Sequence, residues 1–551
     1  MKRRILVLVV LAAVVWGAGA QGAGLIFRSD QEASRALARY VMAGKVPATN
    51  AFVYSGREAA ELFDFEKARG GIKGFKSRLL FSFDPAVTGV SGMTGYSFSP
   101  GADPTLLYFI DSLPVFIELG ADFWAGDSVA GKVKMDLSLR QNYLGSDFMP
   151  LFAPWDVDAL IWTFMSWRFP QEGWVSAAGD NFWLAAGRFK AGLGEGHFGA
   201  TFMNTRAEWY DQVQGVAGNK NFRFTAIVGT SATHLSQGEA AIQFKTRNDL
   251  DAGNVSINPW DPINDHDFVN QMEAVKMFAY RQVEARFWDR LRIGVAEMNM
   301  IGGKDPGLAD LLPTGFWHNN YSAGFTNVML NLSASLVPAK GLKIFGEFTL
   351  DDFRGADEGA TGKPAQFGWQ AGGTYSFEPA GGMIITAGGE YTYTNEWIYC
   401  RWQPYLTMYQ RHQTGPSWAT DWPLGFTYGP DARHVGLFAS ASMENGAALE
   451  LSYEYLAKGP IYMGMTDADG DPIYYDYDDR DDYTTRDTSL SAIRARPDQL
   501  SHGASLKASW PLGKGFDVVA IFQYWHHSNY RNATGDTRQF YLYSAGVRWT
   551  Y

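Results

Sequence analysis

The sequence predicts an all-β fold, an antiparallel β-barrel of about 18 strands that follows a short N-terminal helical segment. Three observations predict it. Apolar and polar residues alternate with a period of two from about residue 71 onward. Short and long connections alternate between these segments, and the chain ends in a strand with one wholly apolar face. Together they are typical of barrels of the outer-membrane type, in which lipid covers the apolar face.

The C-terminal strand has two different faces. The first carries Tyr541, Tyr543, Ala545, Val547, Trp549 and Tyr551, and the second carries Phe540, Leu542, Ser544, Gly546, Arg548 and Thr550. At the edge of a sheet in a soluble protein, a strand with such an apolar face would promote aggregation. In a closed barrel every strand has a partner on both sides, so no edge is exposed. This aromatic ending also resembles the assembly signal of bacterial outer-membrane barrels, so we expect the barrel assembly machinery as a partner.

The N-terminus reads as an export signal. Lys2, Arg3 and Arg4 precede the apolar run 5–16 and a Gly-Ala-Gly-Ala stretch before Gln21. A signal peptide over 1–20 is therefore predicted. Since no run of 18 apolar residues follows, we expect the chain to reach the bacterial outer membrane rather than stay in the inner one.

Composition fits this interpretation. The chain holds 37 Phe, 27 Tyr, 19 Trp and 60 Gly, although its mean hydropathy is only -0.19. Half of each barrel strand faces a polar lumen, which explains the low value. A net charge of -11 argues against nucleic acid as a partner. Cys400 is the single cysteine, so we expect a free thiol and no disulfide framework.

Residues 21–70 differ from the rest. Ser29 with Glu32, and Ser55 with Glu58, fit the helix capping box. Two short helices are predicted here, on the periplasmic side, as a candidate plug of the pore. A flexible lead-in is the alternative.

Residues 71–551 are predicted to form the transmembrane barrel. Counting back from the C-terminus, the short connections are 511–514, 444–446, 379–382, 338–340 and a turn near Asp289. The long connections are 529–538, 457–501, 401–432, 351–366, 301–324 and 246–277. Because long loops face outward in such barrels, both chain ends are expected to be periplasmic.

Many predicted lumen positions are charged. They are Glu118, Asp122, Lys134, Arg140, Arg286, Arg292, Glu347, Glu450 and Glu454. Opposite charges facing one another predict a lumen crossed by ion pairs, which argues against a wide general porin. A solute-conducting channel with a narrow pore stays open as an alternative function.

Several short motifs between about 180 and 445 resemble the Wzi capsule-assembly family. They are Gly187-Arg188, Gly194-Glu195-Gly196-His197-Phe198-Gly199, Phe222-Arg223-Phe224-Thr225, Arg290 to Gly294 with Glu297, His318-Asn319-Asn320, Gly341-Leu342 with Gly346-Glu347, Asp351-Asp352-Phe353 and Gly429-Pro430-Asp431-Ala432. Leu193 and Arg206 depart from that family's pattern. The resemblance implies a barrel with a helical plug that attaches or helps assemble capsular polysaccharide, lectin-like and without catalysis.

The connection 401–432 is rich in aromatic residues. Since sugars stack on aromatic rings, its candidate polysaccharide contacts are Trp402, Trp418, Trp422, Tyr428 and Asp431. The alternative is that these rings form the outer aromatic girdle or pack the loop inward.

Two further patterns bear on chemistry. Asp467, Asp469 and Asp471 resemble the start of a calcium loop, without its downstream bidentate Glu; a solvated acidic loop is the alternative, and no other cofactor is expected. His526 and Ser528, with Asp536 across the loop, resemble the catalytic residues of outer-membrane lipid acyl hydrolases. Polar side chains that simply lie in the girdle are the alternative.

Overall fold

The structure is a computed structural model of the chain. It describes residues 23–63, 74–84, 86–91, 108–109, 112, 115–138, 170–207, 209–233, 235, 274–303, 305–307, 311, 326–352, 365–379, 381–401, 404–413, 419–461 and 494–550. The predicted signal peptide, residues 1–20, lies outside these residues.

The N-terminal segment contains the two short helices that the sequence predicts. Strand β1 (Leu25–Phe27) pairs with β2 (Val53–Ser55), and helices α1 (Gln31–Met42) and α2 (Gly56–Phe63) follow one strand each. Ser55 caps α2 as predicted, because its Oγ accepts the backbone N–H of Glu58 at 3.2 Å. At α1 the prediction was one residue off: Asp30, not Ser29, is the N-cap.

The barrel has 18 antiparallel strands, as the sequence predicts. Strands β3 (Phe75–Phe83) and β4 (Ala86–Ser91) keep a single register against the last strand, so they form one barrel strand with a break. The others are β5 (Val115–Ala125), β6 (Val129–Ser138), β7 (Glu172–Ala178), β8 (Phe182–Phe189), β9 (Tyr210–Asn219), β10 (Phe222–Thr230), β11 (Lys276–Phe287), β12 (Leu291–Gly302), β13 (Thr326–Ala339), β14 (Leu342–Asp352), β15 (Gln366–Phe377), β16 (Ile384–Thr394), β19 (Ala432–Ser442), β20 (Ala448–Lys458), β21 (Gln499–Gly513), β22 (Phe516–Ser528) and β23 (Thr537–Thr550). A separate hairpin, β17 (Tyr409–Gln413) and β18 (Ala419–Pro423), lies between β16 and β19. Pairing of β23 with β3 and β4 closes the barrel.

Short and long connections alternate around the barrel, which gives it two different rims. The short-turn rim carries 126–128, 179–181, 220–221, 288–290, 340–341, 378–383, 443–447 and 514–515. The long-loop rim carries 92–114, 139–171, 190–209, 231–275, 303–325, 353–365, 395–431, 459–498 and 529–536. Residue 74 and the end of β23 both belong to the short-turn rim, since the barrel has an even number of strands.

The outer wall of the barrel is an exposed apolar belt. On β23 the outward face is the one predicted from the sequence, with Tyr543 and Val547 exposed while Phe540 and Leu542 are buried. Comparable outward residues on the other strands include Leu119, Leu332, Phe348, Leu437, Leu451 and Phe522. So much contiguous apolar surface is unfavourable in water and favourable in lipid.

The belt is interrupted on β11 and β12. Near the middle of these strands Arg281 and Glu297 face each other on the side away from the lumen, with Asn299 beside them, and all three are buried. Within the described residues, neither helix is long and apolar enough to cross a membrane.

Candidate functional site: the filled lumen

Three parts of the chain occupy the inside of the barrel. The N-terminal segment 23–63 enters from the short-turn rim, and the connections 190–209 and 395–431 fold in from the long-loop rim. Their apolar side chains share one buried cluster with the wall, which includes Ala51, Tyr54, Leu62, Phe202, Met203, Tyr280, Tyr399, Trp422 and Phe426. The lumen is therefore filled largely by the protein itself.

Helix α1 is fixed against the short-turn rim. The guanidinium of Arg35 donates to the carbonyl of Gly382 at 2.8 Å and also to the carbonyl of Ser442. The backbone N–H of Val46 donates to the carbonyl of Asp289 at 2.8 Å. Because these partners are backbone carbonyls in or next to the turns, this part of the N-terminal segment is held at the short-turn rim.

The middle of the lumen holds a charged cluster around Glu195, whose side chain is 6% exposed. Its carboxylate pairs with Arg28 at 2.8 Å and Lys343 at 2.7 Å, and lies 3.6 Å from Arg292. Burial alone would raise the pKa of Glu195, but these cations together hold that pKa well below its usual value. The carboxylate thus stays ionised and joins the N-terminal segment, a connection and the wall. A second carboxylate, Glu284, extends this cluster.

Glu284 of β11 accepts the backbone N–H of Asn50 at 2.9 Å and pairs with Arg292 at 2.9 Å. Arg223 of β10 pairs with Glu58 of α2 at 2.6 Å. Burial is the main influence on the pKa of Glu58 and raises it, although Arg223 acts in the opposite direction. The wall therefore binds the plug segment through charged groups at two further points.

The connection 190–209 is held by carboxylates of the wall. Glu390 accepts the backbone N–H groups of His197 at 2.7 Å and Phe198 at 3.0 Å, and Glu347 accepts the hydroxyl of Thr201 at 2.8 Å. Sequence reasoning cited this stretch only as a family motif and missed that it fills the lumen. Its glycines were the available signal: a Cβ on Gly199 would lie 2.1 Å from Oγ1 of Thr427 in the other connection.

The connection 395–431 is packed inward, and Trp422 and Tyr428, two of the candidate polysaccharide contacts, are buried inside the barrel. Their side chains are 1% and 0% exposed. Tyr428 donates its hydroxyl to the lumen carboxylate Glu454, and Tyr399 donates its own to the carbonyl of Thr201 at 2.5 Å. The inward-packing alternative applies to these two rings.

The other predicted contacts are placed as follows. Asp431 stands at the start of β19 with φ 52°, and its Oδ2 accepts the backbone N–H of Ile461 at 3.1 Å, so it has a structural part in this turn. Trp402 and Trp418 lie outside the described residues.

Metal binding has no support in the described part of the chain, where no group of three His, Cys, Asp or Glu is arranged to hold an ion. The calcium candidates Asp467, Asp469 and Asp471 lie outside it. Cys400 has a free, buried thiol, as expected, and lies in the inward-packed connection. Burial raises the pKa of its thiol.

The predicted His and Ser pair lies on the outer wall near the long-loop rim. Nε2 of His526 and Oγ of Ser528 are 3.5 Å apart, a separation at the limit for a hydrogen bond. Asp536 accepts the guanidinium of Arg538 at 2.8 Å instead of orienting the imidazole. Among the described contacts, these side chains therefore do not form the chain of hydrogen bonds that acyl transfer uses.

One side of the lumen is less completely filled. Toward the short-turn rim the inward side chains of Arg78 and Lys507 are 63% and 52% exposed. Nearer the long-loop rim a cavity of about 20 Å³ remains between Tyr108, Arg206 and Trp525, which is room for about one water molecule.

Solved structures show the same architecture. The chain is similar to Wzi of Escherichia coli, described as an outer-membrane protein involved in group 1 capsule assembly and a carbohydrate-binding β-barrel, with a TM-score of 0.54 and 12% identity over 96% of this chain and 99% of that one. It also matches OccAB1 of Acinetobacter baumannii (TM-score 0.38, 10% identity, 86% of this chain and 96% of that one) and the channel DcaP of the same organism (0.33, 9%, 88% and 100%). No protein-family model and no curated protein sequence matches it. By fold, this chain is a closed outer-membrane β-barrel of 18 strands.

Proposed function

We propose that this barrel is a non-catalytic attachment site for surface polysaccharide in the bacterial outer membrane. In this proposal the long-loop rim faces outward, and the short-turn rim, with both ends of the mature chain, faces the periplasm. The observation that carries the proposal is that the chain's own segments fill the lumen from both rims.

A filled lumen favours binding over transport. A channel needs a continuous aqueous path, whereas here the charged wall groups are paired with the segments that occupy the interior, as Glu195 and Glu284 are. Freeing such a pair costs several kcal/mol. The segments are therefore expected to stay in place, which leaves the loops as the functional surface.

The likeness to Wzi supports the choice of ligand. It extends over nearly all of both chains and therefore includes the N-terminal helical segment as well as the barrel. Polysaccharide binding is part of that protein's description, and we extend it to this chain as a proposal.

The contact residues proposed here are Trp402 and Trp418, from the connection 395–431. The described part of that connection is a scaffold, anchored by the buried rings of Trp422, which belongs to the hairpin β17–β18, and of Tyr428. A rigid base lowers the entropy cost of presenting aromatic rings to a sugar.

The experiment is retention of the full-length protein on capsular polysaccharide purified from the source strain and immobilised. Trp402→Ala and Trp418→Ala together are expected to abolish retention. Trp288→Ala is the matched control, since Trp288 is 82% exposed at the short-turn rim and should leave retention unchanged. Equal retention of both variants would contradict the proposed contact residues, and no retention of the unaltered protein would contradict the function.

A second candidate function is slow conduction of ions along the less filled side of the lumen. The exposed inward side chains of Arg78 and Lys507 favour it. If single-channel currents flow through the unaltered protein, Lys507→Glu should shift the reversal potential toward cation selectivity. An unchanged reversal potential would contradict conduction along this side of the lumen.

A further inference from the structure

A row of polar side chains crosses the outer wall just beyond the apolar belt. The strand register places Tyr455 opposite His502, His502 opposite His526, and His526 opposite Gln539, on the adjacent strands β20 to β23. Alternation along each strand turns all four side chains away from the lumen. Two histidines and an amide in register contrast with the apolar outer faces of the same strands closer to the short-turn rim.

The height of this row corresponds to the edge of a membrane. An aromatic girdle lies two residues closer to the short-turn rim than the row; it is formed by Tyr453, Tyr524 and Tyr541. Near the opposite edge of the apolar belt lies Trp549, eight residues from Tyr541 along β23. Eight residues of tilted strand rise about 20 Å, which is close to the usual apolar band of about 25 Å. The histidines are therefore at the level of lipid headgroups.

Neighbouring tyrosines orient the side chains of His502 and Gln539 in this row. The hydroxyl of Tyr453 lies 2.8 Å from Nδ1 of His502, which leaves Nε2 of that ring for a ligand. Tyr541 donates to Oε1 of Gln539 at 2.9 Å, which turns the NH₂ of this amide toward other acceptors. Both contacts therefore direct hydrogen-bond donors, Nε2 of His502 and the NH₂ group of Gln539, toward a ligand.

The middle of the row supplies further donors. His526 and its neighbour Ser528 add an imidazole and a hydroxyl, 3.5 Å apart. Directly opposite residues on antiparallel strands have Cβ atoms about 5 Å apart, so two protonated imidazoles at these positions repel each other unless an anion lies between them.

We propose that His502, His526, Ser528 and Gln539 bind the phosphate of a phosphorylated glycolipid in the outer leaflet. The proposal rests on the orientation assigned above, with the long-loop rim outside. Phosphate oxygens accept from all four side chains, and protonated imidazoles add charge. The lipid's acyl chains would cover the apolar residues of the same strands, such as Leu506 and Phe522.

The surrounding charges permit an anion here. The titratable side chains facing the two histidines are the tyrosines of β20, β22 and β23, which are neutral at physiological pH. Asp536, at the loop end of β23, is paired with Arg538 at 2.8 Å, and Arg433 lies exposed on the outer face of β19. In the described strands β19 to β23, the outer face therefore carries no carboxylate.

The test measures binding of diphosphoryl lipid A to the detergent-solubilised, full-length protein by native mass spectrometry. Dephosphorylated lipid A with the same acyl chains is the second ligand, and inorganic phosphate alone is the third. We expect the double variant His502→Asn, His526→Asn to weaken lipid A binding by about tenfold or more.

Tyr391→Phe is the control, because Tyr391 lies in the same row on β16, beyond Val435 of β19, and away from the histidines. It should leave binding unchanged, and both variants should keep the unaltered thermal unfolding midpoint and polysaccharide retention. Equal binding of the dephosphorylated lipid, or an unaffected double variant, would overturn the site. Inorganic phosphate binding as tightly as lipid A would overturn its assignment to a lipid. Loss of polysaccharide retention alone would affect the proposed function and not this site.

Discussion

The side chain of Glu195 binds the N-terminal segment and the connection 190–209 to the inner wall of the barrel. Its three cationic partners come from different parts of the fold: Arg28 from the N-terminal segment, Arg292 from β12 and Lys343 from β14. Ser335 of β13 adds a hydroxyl that donates at 2.7 Å. The carboxylate compensates the charges of Arg28 and Lys343, and it shares Arg292 with Glu284.

Replacing this carboxylate tests its contribution. Glu195→Gln leaves three cations near a neutral amide, and breaking a buried pair in this way costs about 3–5 kcal/mol. We expect a lower thermal unfolding midpoint in detergent and faster proteolysis of residues 23–63. The control is Glu444→Gln, whose exposed pair with Arg39 contributes about 0–1 kcal/mol. Equal effects of the two substitutions would contradict the role assigned to burial.

The same carboxylate predicts how acid acts on the plug. Its pKa is lowered on folding, so its contribution to stability is fully present above the unfolded value, about 4.3, and is lost as the pH falls through the folded value. Protease protection of residues 23–63 should therefore be constant from about pH 8 to pH 5 and decline only at lower pH. A decline centred near neutral pH would contradict this assignment.

At the scale of the elements, side chains alternate along each strand between the outer face, which is apolar, and the face toward the lumen, which is polar. On β22, Phe522 faces out and is exposed while its neighbour Gln523 faces in and is buried, where it donates to the hydroxyl of Ser112 at 2.8 Å. The outward position has no partner for a charge.

A charge placed on the outer face should therefore be costly. Phe522→Arg, inside the belt and one pair of residues from its tyrosine girdle, is expected to destabilise the barrel in lipid by about 1–3 kcal/mol, and Thr537→Arg at the long-loop end of β23 by about 0–1 kcal/mol. Urea unfolding in vesicles measures both. Equal costs would contradict the position of the belt.

Connections are matched to the wall through glycines. A Cβ on Gly436 of β19 would lie 2.2 Å from the ring of Phe198, whereas a Cβ on Gly215 of β9 would meet only Leu184, at 3.6 Å. The ring of Phe198 can pack against the wall because that position has no side chain.

This contact gives a test of the inward-folded connection 190–209. Gly436→Ala is expected to displace Phe198 and cost about 1–3 kcal/mol. Proteolysis within 190–209 should become faster, and Gly215→Ala should leave it unchanged. If both variants were cleaved alike, the packing of this connection against β19 would be wrong.

At the scale of the molecule, the barrel wall was predictable from the sequence, whereas the inward packing of the connections that fill the lumen was not. Alternation and connection length are local features of the sequence, so the 18 strands, their faces and the two rims followed from them, as the outward Tyr543 illustrates. Inward packing of a connection depends on contacts across the lumen, such as that of Thr427 with Phe198 at 2.7 Å, which no local pattern contains. Trp422 therefore looked equally suited to a sugar site and to a core.

The filled lumen also determines how the whole barrel is expected to work. With the N-terminal segment paired to Glu195, Glu284 and Arg223, the interior is packed like a core, and we expect a polysaccharide to meet the loops rather than the lumen. The account consequently depends on the plug segment remaining inside the folded barrel.

Planar-bilayer conductance tests that claim most directly, measured on the mature chain and on a chain that lacks residues 23–63. The unaltered protein is predicted to give no large, stable conductance steps, and the truncated protein to conduct once it inserts. Large steps from the unaltered protein, at the same size as those of the truncated one, would contradict the account.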